Sequence, residues 1–230
     1  MRAIYLENIE LSNEIILTDE KFHHLIKVLR LKRDYEILVL DGIGNSRVYK
    51  LNEINKKSCV IASSSEAITG QRCSTPDVLI CPPKKEYAEA MIRSCIEAGV
   101  NNIYFAESEY SQWSFENNKR IEQIISSSLE QSNNHFRPDF IILDDITAAP
   151  FKDYDTVLLF TSNSRKTVSK NTLGRCLIII GPEAGFSNME EDFVEQLDNS
   201  VMLHLPLNIM KAVTALPVAI GYCLGTESNS

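Results

Sequence analysis

Leu177-Ile178-Ile179-Ile180-Gly181-Pro182-Glu183-Ala184-Gly185-Phe186-Ser187-Asn188-Met189-Glu190 decides the fold class. Four apolar residues in a row, three of them β-branched, predict a strand buried on both faces. Gly181 and Pro182 end it, and Gly185 permits a sharp turn. Ser187 followed three residues later by Glu190 is a capping-box pattern, so a helix starts there. Free N–H groups at such a start favour an anionic or carboxylate-bearing ligand. The same pattern also serves an ordinary strand-to-helix turn, and local geometry leaves both readings open.

Outward from this stretch, strand and helix patterns alternate. Strands are expected at 78–81, 102–106, 139–143, 156–160 and 202–205, and helices at 85–98, 114–132 and 209–224, the last with a kink at Pro217. Alternation of this kind implies an α/β domain with a largely parallel sheet. Ligands in such sheets bind beyond the carboxyl ends of the strands. Three of those ends fall at residues 160–163, 180–183 and 205–208.

The first 70 residues read differently. Short strands at 2–5, 14–17, 35–40, 47–54 and 57–62, with a turn at Asp41-Gly42-Ile43-Gly44-Asn45, suggest a small β-barrel. One helix, 19–31, interrupts them, with Phe22, Leu25, Ile26 and Leu29 on one face. Residues 63–77, rich in Ser, Thr, Gly and Pro, read as a linker. The expected domains are therefore 1–70 and 71–230.

The chain has 230 residues, 44% hydrophobic, and a net charge of −8. No apolar run is long enough to span a bilayer, and the N-terminus lacks a signal-peptide pattern, so a cytoplasmic protein with no membrane partner is expected. Cys59, Cys73, Cys81, Cys95, Cys176 and Cys223 form no CxxC pair, so buried thiols are expected and no metal site. Acidic charge opposes strong nucleic-acid binding. Yet residues 21–33 carry five Lys/Arg, two His and no acid. Such a patch can contact phosphates while the bulk stays acidic.

The glycine loop, taken with Pro206-Leu207-Asn208-Ile209-Met210-Lys211-Ala212-Val213-Thr214-Ala215, resembles the paired C-terminal motifs of SPOUT-class methyltransferases. It is most similar to the bacterial family that methylates N3 of a uridine in small-subunit ribosomal RNA. The first motif matches at Gly181, Pro182, Glu183, Gly185, Phe186 and Ser187, the second at Leu205, Ile209, Thr214 and Ala215. Phe22-His23-His24-Leu25-Ile26-Lys27-Val28-Leu29-Arg30 with Asp41-Gly42-Ile43-Gly44 resembles that family's RNA-binding, PUA-like domain. Ile96-Glu97-Ala98-Gly99-Val100 and Glu130-Gln131 resemble two further motifs.

The resemblance implies a trefoil-knotted α/β domain that binds S-adenosylmethionine, a small-subunit rRNA or assembled-subunit substrate, and a homodimer formed through the C-terminal domain. It implies cofactor contacts from Phe160, Thr161, Ile180, Gly181, Pro182, Glu183, Leu205, Leu207, Asn208, Ile209 and Met210. It also implies catalytic parts for Lys211 and Glu183, and RNA contacts from Lys27, Arg30, Lys32 and Arg33. The sequence departs from the family at Asn208, Lys211 and Val213, where two arginines and a glutamate are usual, and at Ser132-Asn133-Asn134, where another arginine is lost. Leu205 to Met210 also reads as plain core, Glu183 as a helix-dipole partner, and the basic residues with His23 and His24 as a solvated face. His204 reads as structural, and His135 and Trp113 have no readable role. Two alternatives to the enzyme stay open: a diverged SPOUT-fold protein that binds RNA or cofactor without methylating, and an unrelated nucleotide-binding α/β enzyme with phosphate at Ser187.

Overall fold

The computed structural model describes residues 1–161, 173–203 and 208–227. They fall into two compact units, one of Met1–Arg72 with Ser126–Arg137, the other of Cys73–Ile125 with Pro138–Ser230.

The first unit holds β1 (Arg2–Tyr5), β2 (Glu14–Thr18), α1 (Asp19–Phe22), β3 (Glu36–Leu40), β4 (Asn45–Ile54), β5 (Ser58–Ser63) and β6 (Ile68–Thr69). The sheet order is β1-β3-β4-β5-β2, with β6 on β4. β1 runs parallel to β3, and the remaining ladders are antiparallel. Period-2 alternation explains the core: on β2, Ile15 and Leu17 point in while Ile16 points out. The Asp41 carboxylate fastens the turn between β3 and β4. It accepts from the Ile43 and Asn45 amides at 2.8 and 2.9 Å and from Asn45 Nδ2 at 2.7 Å.

The single helix expected over 19–31 is instead α1 followed by a wider, π-helical stretch, His23–Val28. The Leu29 amide reaches back to the His24 carbonyl, and Leu31 to Leu25. Over two turns, apolar spacing cannot separate 3.6 residues per turn from a wider coil. Phe22 and Leu25 are buried as the pattern requires, with Ile26 and Leu29 packed beside them. The stretch read as a linker contains β6, a two-residue strand too short to show a period.

Residues 126–137 belong to this unit because their polar groups bind it. Glu130 Oε1 accepts from the Tyr5 amide and from Lys21 Nζ, each at 2.9 Å. The Gly44 amide donates to the His135 carbonyl at 3.0 Å, and the Arg137 amide to Gly42 at 2.7 Å.

The second unit holds β7 (Asp77–Ile80), α2 (Lys85–Glu97), β8 (Asn102–Ala106), α3 (Lys119–Ser132, whose last half lies in the first unit), β9 (Asp139–Leu143), β10 (Thr156–Phe160), β11 (Cys176–Ile180), α4 (Asn188–Glu195), β12 (Ser200–Leu203) and α5 (Ala212–Glu227). The sheet order is β12-β10-β11-β7-β8-β9, and every ladder is parallel. The central strands β11 and β7 are buried throughout, as continuous apolar runs require.

Three boundaries differ from expectation. α3 starts at 119 rather than 114, because Phe115 stacks on Phe105 (ring centroids 4.0 Å apart, 12° between planes) and holds the chain out of helix. Trp113 meets the Phe115 ring edge-on. Asn118 Oδ1 then caps the Arg120 and Ile121 amides. β12 begins at Ser200 rather than 202, its expected end at 205 lying outside the described residues, and α5 begins at Ala212 and continues through Pro217. Residues 162–172 and 204–207, which carry His204, Leu205 and Leu207, lie outside the described residues.

At the amino ends of the strands, the buried Asp77 carboxylate collects three hydrogen bonds from two neighbours. It accepts from the Asn102 amide at 2.9 Å, Asn102 Nδ2 at 2.8 Å and the Tyr154 hydroxyl at 2.8 Å. The Tyr154 hydroxyl also lies 3.1 Å from that of Tyr104, and Arg175 Nη2 lies 3.7 Å from Asp77. Burial first, then these hydrogen bonds, push the Tyr154 phenol well above its usual range.

Five of the six cysteines are buried and Cys73 is exposed; none is in a disulfide. Burial pushes the Cys81 thiol up to about 12. Alkylation of the native protein at neutral pH is therefore expected to label Cys73 alone, and mass spectrometry of the intact chain would show one adduct. Tyr154→Phe removes the bridge between Asp77 and Tyr104. It should lower unfolding free energy by about 1–2 kcal/mol with unchanged urea m-value, and an unmoved urea midpoint would show that the bridge contributes nothing.

Candidate functional site

Parallel register sets the site. Leu159 pairs with Ile179, and Phe160 with Leu203, so β10, β11 and β12 end side by side. Beyond these ends lies a cavity of about 280 Å³. Phe160, Thr161, Ile180 and Leu203 form its floor. The loop from Gly181 to Phe186 forms one wall, and Asn208, Ile209 and Met210 another. Ala212, Ala215 and Val218 face it from α5, and Glu191 from α4.

The loop's shape follows from its residues. The Gly185 amide closes a turn onto the Pro182 carbonyl at 2.9 Å. Gly185 has φ +78, a region where L side chains are strained. Gly181 is required by a close approach: a Cβ there would lie 2.8 Å from the Phe186 ring. The obstruction is therefore a packed aromatic wall rather than the empty space of the cavity.

The helix start is self-capped. Glu190 Oε2 accepts from the Ser187 amide at 2.8 Å, the Ser187 hydroxyl caps the Glu190 amide, and Glu190 Oε1 accepts from the Glu109 amide at 2.9 Å. Of the two readings left open by the sequence, this geometry favours the ordinary capped turn, since the helix's own Glu190 carboxylate takes the Ser187 amide. Ser187 is buried and is not part of the cavity wall.

The charged side chains on the wall, among the described residues, are Glu183 and Glu191, and no Lys or Arg joins them. Glu183 is exposed on the loop. Glu191 is half-buried and accepts from Thr161 Oγ1 at 3.1 Å. Two carboxylates with apolar walls favour a ligand that combines a flat apolar part with positive charge, and disfavour phosphate.

Of the residues singled out in the sequence, Phe160, Thr161, Ile180, Gly181, Pro182, Glu183, Asn208, Ile209 and Met210 come together around the cavity. Leu205 and Leu207 lie outside the described residues. Lys211 is not on the wall. It precedes α5, and its ammonium sits 3.4 Å from the Tyr87 hydroxyl and 5.2 Å from that ring's centroid. Lys27, Arg30, Lys32 and Arg33 are all exposed on the first unit. Arg30 adopts φ +54, where the chain leaves the π-helical stretch. The sequence reading missed Phe186, Glu191, Leu203 and the α5 face. Phe186 and Ala215 stood in the matched motifs and Leu203 on an expected strand, the three-residue spacing of Ala212, Ala215 and Val218 marked the α5 face, and Glu191 carried no signal.

A family model of the RNA methyltransferase domain matches residues 73–224, and one of the RNA methyltransferase PUA domain matches residues 17–62. The chain is 26% identical over 235 residues, 96% of each chain, to ribosomal RNA small subunit methyltransferase E 2 of Borreliella burgdorferi. It is 23% identical to ribosomal RNA small subunit methyltransferase E of Rickettsia conorii, covering 89% of this chain and 86% of that one. Its fold is shared by a ribosomal RNA small subunit methyltransferase E of Neisseria gonorrhoeae solved with S-adenosyl methionine. The TM-score is 0.82 at 22% identity, covering 99% of this chain and 98% of that one.

Gly181→Val should displace Phe186 and collapse one wall. S-adenosylhomocysteine affinity, read by calorimetry, is expected to fall more than tenfold in a protein that still unfolds cooperatively. Unchanged affinity would remove the loop from the site.

Proposed function

The chain belongs to the RNA methyltransferase family, and from that premise we propose that it transfers a methyl group from S-adenosylmethionine to N3 of a uridine in small-subunit ribosomal RNA. The observation that carries the reading is the cavity at the ends of β10, β11 and β12. Its apolar faces suit an adenine, and the charged groups among its described residues, Glu183 and Glu191, suit a cationic cofactor. When bound, S-adenosylmethionine supplies a methyl carbon activated by positive sulfur.

The protein's own contribution is alignment and exclusion of water. Backbone amides and carbonyls of the 181–185 turn are fixed by Gly185 and Pro182, so they can meet an adenine edge without rearranging. Phe160, Ile180 and Met210 close the apolar side. Methylation at N3 would require the base to lose its N3 proton to an acceptor on this chain or to water. Glu183, exposed at the mouth, is the described carboxylate placed to orient the base or accept from it.

RNA contacts are proposed for Lys27, Arg30, Lys32 and Arg33 through phosphates. A homodimer is proposed on family resemblance alone, and sedimentation at twice the 26.0 kDa chain would support it. No helix among the described residues is long and apolar enough to cross a membrane.

One observation favours a second reading, a binding protein without transferase activity. Lys211 engages Tyr87 rather than the cavity, and Asn208 carries no charge. Labelled methyl transfer to unmodified small-subunit rRNA separates the two, since cofactor binding without transfer would select the second.

If transfer is seen, Lys211→Ala should leave cofactor affinity unchanged, because the side chain is off the cavity wall. It should slow transfer by about 10²-fold if the ammonium stabilises developing charge on the base. Replacing Lys27 and Arg30 together by Ala should weaken RNA binding and reduce the slope of log K against log salt by roughly 1.5 to 2 units. An unchanged slope would place the phosphate contacts elsewhere.

A further inference from the structure

We infer that Glu191, held by Thr161, makes the cavity discriminate the sulfonium cofactor from its thioether product, so that spent cofactor is released. The inference rests on the cofactor reading above and adds a specificity residue to it.

S-adenosylmethionine and S-adenosylhomocysteine share adenine, ribose and an amino-acid zwitterion. They differ by one methyl group and one positive charge on sulfur. Apolar walls and backbone hydrogen bonds bind the shared parts equally, so they cannot select between the two. A fixed negative charge can, because Coulomb attraction acts on the sulfonium and finds no counterpart in the neutral thioether.

The wall offers two carboxylates, and they are not equivalent. Glu183 is exposed on a loop, where water and salt screen it. Glu191 is half-buried and anchored from both sides. It stands on the first turn of α4, which the Ser187–Glu190 capping box fixes, and it receives the Thr161 hydroxyl at 3.1 Å. Thr161 is itself tied to β12, its amide donating to the Leu203 carbonyl at 3.1 Å. Glu191 is thus the pre-organised charge, and it joins two walls of the cavity. Among the described wall residues no Lys or Arg stands beside it.

Glu191 also stabilises α4 as an acid in a first helical turn. That role acts on both ligands alike, so the ratio of their affinities isolates the proposed one. Calorimetric titration of the full chain with each ligand, for wild type, Glu191→Gln, Glu183→Gln and Thr161→Val, makes the test. Glu191→Gln should weaken S-adenosylmethionine about five- to tenfold and change S-adenosylhomocysteine less than twofold. Thr161→Val should move the ratio the same way by a smaller factor, and Glu183→Gln less than Glu191→Gln. Equal loss for both ligands, or an unchanged ratio, would overturn the inference and leave the cofactor reading standing. Failure of the wild type to bind either ligand would overturn the cofactor reading, and this inference with it.

Discussion

The buried carboxylate of Asp77 holds the second unit in register. A charge removed from water must be matched by donors, and here Asn102 heads β8, Tyr154 precedes β10 and Arg175 precedes β11. One side chain therefore draws together the amino ends of the strands, and a parallel ladder transmits that alignment along their length. The opposite ends, at Phe160, Ile180 and Leu203, arrive level with one another. The cavity exists because three strands stop together, and the polar cluster that sets their start lies at the other end of the sheet.

The loop that follows β11 turns the strand ends into a site. Gly181 lets the Phe186 ring come close, Gly185 accepts a left-handed backbone, and Ser187 with Glu190 completes the helix start internally. The capping box takes the Ser187 and Glu190 amides within the chain, and the charged groups on the wall, among the described residues, are carboxylates. A cavity of this polarity fits a cation with an aromatic body and argues against the nucleotide-phosphate reading of the same motif.

The first unit is held by a similar device. Asp41 closes a turn, and Glu130 joins residues 126–137 to β1 and Lys21. Glu130, which resembles a motif residue of the family, is thereby given a structural duty. The basic residues around the π-helical stretch are left in solvent, in contrast to Lys21, and their exposure is what a phosphate contact requires.

Local pattern determined a good deal. Continuous apolar runs marked β7, β10 and β11, because strands buried on both faces leave no polar alternation. The capping box announced α4, since it involves only residues three apart, the change of pattern near residue 70 suggested two domains, and motif resemblance carried most of the cavity's strand-end residues. What local pattern could not decide were outcomes of long-range contact. Phe115 leaves the α3 pattern to stack on Phe105, and residues 126–137 join the first unit through Glu130 and His135. Glu191 reaches the cavity only because α4 packs beside the end of β10, where Thr161 meets it. Lys211 sits in the right stretch of sequence, yet the direction of its side chain depends on Tyr87, 124 positions away. Sequence spacing fixes which residues share an element; where a side chain points depends on the neighbours that folding brings to it.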